Sequence, residues 1–388
     1  MKIALVYDRV NKFGGAERVL LALHKIWPKA PLYTSVYNPA GAPWAKDFKV
    51  IPSFVQKFPL AKKHHEIYPW LMPFAFESFN FDKYNVVISI TSAEAKGIIT
   101  KPKTLHICYC LTPTRYLWSG YHHYLDNPRY GLFNSLACLL MKPLLFKLRQ
   151  WDKVASQRPD CYIAISKTVQ KRIKKYYDRS SSLIYPSVDT NKFKQPPITN
   201  HPAYRSSACA GRQSPITNYF LVVSRLVSYK RVDIIIKAFN KLGFLLKIIG
   251  DGVERKCLEK KAKANIEFLG QKLTDGQLIS YYQNCFALVF AGKEDFGLVS
   301  LEAQACGKPV IAYKIGGIGE TIIRNKTGIL FSPQTSEALI KAVRLFKPEN
   351  FKSQDCYQNA EKFGQKIFYK KFKNLVEERW KKHQKEFK

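Results

Sequence analysis

The chain has 388 residues, more than one comfortable core takes up and enough for two domains of about 150 to 200 residues. Its 46% hydrophobic and 14% aromatic content excludes global disorder. Against 29 Asp+Glu stand 63 Lys+Arg, a formal charge of +34 that attracts nucleic acid, an anionic membrane or phosphorylated substrates, or that only coats a lysine-rich soluble surface.

The chain opens M-K-I-A-L-V-Y-D-R, whose short apolar run predicts a strand over 2–7 and is too brief for a signal peptide. Further strands are expected at 32–37, 85–90, 105–110 and 161–165, and helices at 15–26, 131–157 and 166–177, the last capped by Ser166. The longest apolar stretch, 132–146, is interrupted by Lys142 and Pro143 and falls short of a bilayer span. It reads as a core helix or as one lying on a membrane surface, with Lys142, Lys147 and Arg149 at the interface. Cys108 and Cys110 share one face of a strand and read as core. The nine cysteines show no zinc spacing and suit a reducing cytoplasm.

Residues 183–189 are expected to leave the first domain as an edge strand. Residues 190–217, rich in Pro and Ser without periodicity, read as a linker or insertion. The pattern then restarts, with strands at 218–224, 244–250, 266–269, 287–290 and 309–313 and helices at 231–241, 335–346 and 355–388. Short β-branched runs alternating with amphipathic ones predict an α/β protein of two doubly wound parallel sheets. Ligands of such sheets bind beyond the carboxyl ends of the strands.

The motifs follow strands accordingly. Gly14 and Gly15 precede a helix, where backbone N–H groups and the helix dipole suit an anion, unless this is an ordinary turn. Arg225 and Lys230, in S-R-L-V-S-Y-K-R, offer a planar fork and a point charge to a diphosphate, or are ordinary loop cations. Two glycine turns, Gly250-Asp251-Gly252 and G-Q-K with Gln271 and Lys272, are places for a base or ribose to rest against backbone. In E-D-F-G-L-V-S-L-E, Phe296, Gly297 and Leu298 mark a helix start open to phosphate. Glu294 then lies ahead of the helix, toward sugar hydroxyls, and Glu302 about two turns in, toward ribose. G-G-I-G-E-T at 316–321 adds backbone donors.

These motifs, with S-R-L-x-x-x-K, E-x7-E and G-G-A-E, resemble the family 4 retaining glycosyltransferases of GT-B architecture over essentially the whole chain. More narrowly, L-H-I-C-Y-C-L-T-P-T-R-Y-L-W, W-D-K-V-A-S-Q-R and Y-P-S-V-D resemble the WbaZ-like O-antigen mannosyltransferases. The resemblance implies two Rossmann-like domains facing a central cleft: 1–189 on the acceptor side, a linker at 190–217, a nucleotide-sugar domain at 218–365, and a helix at 366–388 returning to the first domain. It implies a donor such as GDP-mannose and a lipid-linked or polysaccharide acceptor. Arg225 and Lys230 would hold the diphosphate, Glu294 the sugar and Glu302 the ribose, and Gly15 would touch phosphate from the other domain. Arg115, Tyr116, Trp118 and His122 are the acceptor-side candidates. Leu111 stands where relatives commonly have a histidine, and His106, about 17 Å away along an extended strand, does not replace it.

No cofactor or metal is expected, the cations taking that part. The charge suggests a cytoplasmic protein held peripherally on the anionic inner leaflet. Three rival readings remain: a glycoside hydrolase using Glu294 and Glu302, a nucleotide-sugar-binding protein without turnover, and a nucleic-acid binder, which dispersed lysines disfavour.

Overall fold

The structure, a computed structural model, describes residues 1–122, 134–193, 219–270 and 273–387, and of 134–141 the backbone alone. The chain forms two compact units, Met1–Pro186 with Phe368–Lys388, and Ser187–Ile367.

The first unit holds β1 (Ile3–Tyr7), β2 (Leu32–Thr34), β3 (Val50–Pro52), β4 (Val86–Thr91), β5 (Leu105–Cys110), β6 (Cys161–Ala164) and β7 (Ser182–Leu183). They pair in the order β3-β2-β1-β4-β5-β6-β7, all parallel. Every residue of β1, β4 and β5 is buried. That is why these strands read as largely apolar runs, interrupted by Ser89, Thr91 and His106: helices cover both faces of a parallel sheet. Cys108 and Cys110 are among those core residues. The final helix, Gln365–Glu386, brings Phe368 and Phe372 against Tyr109, with centroids 6.2 and 5.4 Å away, and Phe372 also meets the edge of Trp27.

The second unit holds β8 (Tyr219–Val223), β9 (Leu246–Ile249), β10 (Ile266–Gly270), β11 (Cys285–Phe290), β12 (Val310–Tyr313) and β13 (Gly328–Phe331). Their order is β10-β9-β8-β11-β12-β13, again all parallel. In both sheets the strand order reverses beside the first strand, at β1/β4 and at β8/β11, so the loops leaving those pairs diverge and open a crevice.

Several boundaries differ from expectation. The strand foreseen at 32–37 stops at Thr34, and Tyr37 pairs with Val10 as an isolated bridge. The edge strand of 183–189 shrinks to Ser182–Leu183, ahead of Pro186, which has no N–H to pair. Of the foreseen linker, Thr190–Phe193 is a helical turn whose Lys192 N–H donates to Asp189, and 194–218 lie outside the described residues. The helix foreseen at 355–388 is two helices, Ser353–Glu361 and Gln365–Glu386, separated around Gly364, which bridges to Val188. Strands β3 and β13 and the short helical turns between Phe54 and Glu77 were not foreseen.

His106 is fully buried in β5, its Nε2 2.8 Å from the Ser89 hydroxyl. Burial, with Arg158 and Arg179 nearby, pushes the imidazole down to about 3. The unfolded chain binds the proton near the ordinary value, so stability is full above about pH 6.5 and is lost as pH falls toward 3, by up to about 1.4 kcal/mol per unit. Denaturation at pH 7 and pH 5 is expected to show this loss, and His106→Gln to flatten it. An unchanged slope in the variant would assign the acid sensitivity elsewhere.

Candidate functional site

In the second unit the chain leaving β8 carries Arg225 and Lys230, and the chain leaving β11 carries Glu294. The β8 loop is pinned by backbone. Leu226 N–H donates to Asp251 O at 2.9 Å, and Glu254 N–H returns to Leu226 O at 3.1 Å. A β-carbon on Gly250, at φ +142°, would lie 1.9 Å from Ser224 O, and one on Gly252 would lie 2.2 Å from Leu226 O. These two positions must be glycine for the loops to touch. Their N–H groups are already engaged, Gly250 with Gly270 O at 2.8 Å and Gly252 with the Asp251 carboxylate at 2.7 Å. The turn expected to offer backbone to a base or ribose thus fixes the Arg225 loop. Gln271 and Lys272 lie outside the described residues.

Arg225 is exposed, and its guanidinium donates to the Tyr229 hydroxyl at 2.5 Å. Lys230 differs. Its ammonium is paired with the Glu294 carboxylate, the two side chains only 14% and 16% exposed, and lies 5.4 Å from the centre of the Phe290 ring. Two residues expected to serve adjoining parts of a donor, its diphosphate and its sugar, are therefore in direct contact. A mostly desolvated pair of this kind holds both side chains in one geometry.

The loop after β11 ends at Gly297, whose φ of +95° is a left-handed conformation that glycine adopts freely, and the helix Leu298–Ala305 follows. The first N–H groups of such a helix have no carbonyl four residues back. A buried polar web holds it in place. Ser300 Oγ lies 2.6 Å from Thr321 Oγ1, and Asn359 donates to Gln304 at 2.7 Å and to Thr321 O at 2.9 Å. Sequence reading missed this web; polar Ser300 and Gln304, four apart on the helix, were the available signal. Glu302 is the fifth helical residue, just over one turn in rather than two. Its carboxylate is fully buried and accepts from the Tyr282 hydroxyl at 2.9 Å. Phe296, expected at the donor, is buried against Phe363 with centroids 5.8 Å apart; its ring is core.

Gly317 does not add a free donor as expected. Gly317 N–H donates to Glu294 O at 2.7 Å. A β-carbon on Gly316 would lie 2.3 Å from Glu294 O, and one on Gly317 would lie 2.0 Å from Asp295 O. The pair lets β12's loop lie directly on the backbone of 294–295.

In the first unit Gly14 is extended, so its backbone does not demand glycine, and Gly15 begins the helix Gly15–Ile26 exposed. Buried Glu17 in the first turn accepts from Tyr7 at 2.6 Å, so an internal carboxylate already complements this helix start. Tyr116 and Trp118 turn their polar atoms inward. The Tyr116 hydroxyl donates to Glu94, whose other oxygen pairs with Arg9 at 2.6 Å. Burial and Glu94 together raise that phenol's pKa well above its ordinary value. Trp118 Nε1 donates to Asp152 at 2.7 Å, and Asp152 also takes Lys96 at 2.5 Å and Thr114 at 2.7 Å. Arg115 is half-buried; His122 is exposed beside the Tyr121 ring. Leu111, half-buried, extends the β4–β5 ladder through its N–H to Thr91 O. Asp8, Arg9, Glu94 and Asp152 were missed by sequence reading. Asp8 accepts from Thr91, from the N–H groups of Ser92 and Ala95, and from the Ser92 hydroxyl, fixing the turn at the β1/β4 reversal.

Among the described residues there is no cluster of three or more His, Cys, Asp or Glu able to hold a metal, and no helix long and apolar enough to cross a membrane.

Residues 212–363 match the family described as Glycosyl transferases group 1. An uncharacterized glycosyltransferase of Methanocaldococcus jannaschii is 30% identical over 253 residues, 64% of this chain and 66% of that one. A GDP-mannose-dependent alpha-(1-6)-phosphatidylinositol monomannoside mannosyltransferase of Mycobacterium tuberculosis is 29% identical over 206 residues, 47% of this chain and 51% of that one. The chain thus spans less than two thirds of the length of these curated relatives. Anabaena Alr3699/HepE in complex with UDP and glucose superposes with a TM-score of 0.69 at 19% identity, covering 97% of this chain and 99% of that one. That likeness establishes the fold: two parallel-sheet, Rossmann-like domains of the GT-B kind.

The backbone contact at 294–317 yields a test. Gly317→Ala is expected to lower the stability of the second unit by about 1 to 3 kcal/mol, as backbone must move to admit the methyl group. Gly319→Ala, whose β-carbon would meet Lys314 O at 3.3 Å, is expected to cost much less. Equal denaturation midpoints for the two variants would contradict the close approach.

Proposed function

We propose that this chain, whose residues 212–363 match the group 1 glycosyl transferases, moves a glycosyl group from a nucleotide diphosphate sugar to an acceptor hydroxyl with retention of configuration. The observation that carries this reading is the contact of Lys230 with Glu294 at the β8/β11 reversal, beside the helix start at Gly297. In such a transfer charge develops on the departing phosphate. Arg225, Lys230 and the first N–H groups of the Leu298–Ala305 helix are the groups that would stabilise it. Glu294, held by Lys230, is assigned to the hydroxyls of the donor sugar. Glu302 is assigned to ribose by resemblance alone, and its burial against Tyr282 gives it a structural part as well.

The donor proposed is GDP-mannose, supported by the motif resemblance and by the name of the mycobacterial relative. The acceptor proposed is a lipid-linked or polysaccharide hydroxyl, met by a cytoplasmic protein held peripherally at an anionic inner leaflet. A second reading, nucleotide-sugar binding without turnover, is favoured by one observation, the aliphatic Leu111 at the end of β5.

A thermal-shift screen of nucleotide sugars is expected to raise the midpoint most with GDP-mannose. Transfer assays with that donor are expected to show a loss of at least about 100-fold in kcat/KM for Lys230→Ala, the scale of removing one preorganised donor from a developing oxyanion. Binding without transfer to any acceptor would favour the second reading, and Leu111→His would then be the variant to restore turnover. For Glu302→Gln, weakened donor binding at an unchanged midpoint supports the ribose assignment, whereas a lowered midpoint at unchanged affinity leaves it structural.

A further inference from the structure

We infer that the segment from Phe54 to Phe74 of the first unit is the surface by which this protein docks on an anionic bilayer. The inference deepens the membrane-facing part of the proposed function and does not depend on the transfer chemistry. Six of the eighteen exposed large apolar side chains among the described residues fall within these 21 positions: Phe54, Phe58, Leu60, Ile67, Trp70 and Phe74. Elsewhere such side chains are scattered, as is normal for soluble surfaces.

The local structure explains how they come to face outward together. The segment is a chain of short turns and helices, Phe54–Lys57, Ala61–His64, His65–Ile67, Pro69–Leu71 and Met72–Glu77. Val55, Ala61, Met72 and Ala75 point inward, where they form a small core with Val36. That core anchors the segment, so the outward residues are not needed for it. Half-buried Tyr68, packed on that core, links the exposed rings into a row: Phe54 meets Phe58 at 6.3 Å, Phe58 meets Tyr68 at 5.4 Å, and Tyr68 meets Trp70 at 5.9 Å. The Tyr68 hydroxyl donates to Pro59 O at 3.0 Å, a second tie between the Phe58 and Tyr68 stretches of the row. Leu60, 66% exposed, stands at the turn between them.

Charge identifies the occupant. Lys57, Lys62 and Lys63 are exposed within the segment, against the single carboxylate of Glu66 before Glu77. Two copies of this face would set like charges against each other. A bilayer accepts both parts: rings enter the zone below the headgroups, where Trp and Tyr are at home, and lysines meet anionic phosphates. The helix at Asn134–Ala155, read from sequence as core or as lying on a membrane surface, is the weaker candidate. In its described part Leu145 and Leu148 turn inward onto Leu117, leaving Phe146 exposed between lysines.

The test is flotation of the full chain with vesicles of phosphatidylcholine and phosphatidylglycerol at a ratio of about 70:30, and with phosphatidylcholine alone, in the absence of any donor. The chain is expected to float with the anionic vesicles and far less with the neutral ones. Leu60→Ser/Trp70→Ser/Phe74→Ser and Lys57→Glu/Lys62→Glu/Lys63→Glu are each expected to reduce partitioning at least about tenfold, with unaltered denaturation midpoints. Lys142→Glu/Lys147→Glu is expected to float like the parent. Failure of the parent to float, flotation of the Leu60/Trp70/Phe74 variant at the parent's level, or light scattering that shows a dimer broken by that variant would each overturn the inference. Loss of the transfer reading would instead appear as no thermal response to any nucleotide sugar while flotation persisted.

Discussion

Backbone laid directly on backbone is the constraint from which the second unit's site follows. Ser224 O, Leu226 O, Glu294 O and Asp295 O each have another strand's loop so near that a β-carbon would fall about 2 Å from them. Four glycines, at 250, 252, 316 and 317, make that approach possible, and each brings one loop at the carboxyl edge of the sheet against its neighbour. With the loops so fixed, Arg225 and Lys230 cannot drift from the β8 end, and Glu294 cannot drift from the β11 end. The ion pair of Lys230 with Glu294 is a consequence of that packing. A flexible loop would lose much of such a pair to side-chain and backbone entropy.

The first unit solves the same problem with buried carboxylates. Asp8 gathers the turn after β4, Glu94 joins Arg9 to Tyr116, and Asp152 joins Lys96 and Thr114 to Trp118. Each carboxylate accepts several hydrogen bonds, the condition under which a buried charge is tolerated. The outcome is a loop at 112–118 whose aromatic residues look like ligand-binding groups in the sequence but whose polar atoms are tied inward. In the second unit the Ser300, Thr321, Gln304 and Asn359 web does comparable work under the helix that begins at Leu298.

Legibility differed by the kind of element. Strands β1, β4, β5, β8 and β11 were readable because a strand buried on both faces is largely apolar. The helix Gly15–Ile26 was readable to the residue, from its spacing and the glycines before it. The short turns between Phe54 and Glu77 were not, since pieces of three or four residues carry no periodicity. Among candidate site residues, Arg225, Lys230, Glu294 and Gly297 were picked out by their place after strands, and they lie in the loops that leave β8 and β11. The burial of Phe296 and Glu302 was hidden, because it depends on Phe363 and Tyr282, whose nearness no local pattern reports.

The sequence by itself determined the alternation of strand and helix, the two sheets, and the placement of cations and glycines at strand ends. These are properties of hydrophobic period and of the conformations each residue type allows. Tertiary structure alone decided which glycines serve backbone contact rather than a ligand, which carboxylate meets Lys230, and which aromatic side chains remain outside. The physical reason is the same in each case. Close approach and burial depend on atoms tens of residues away in the chain, and spacing along one segment carries no information about them.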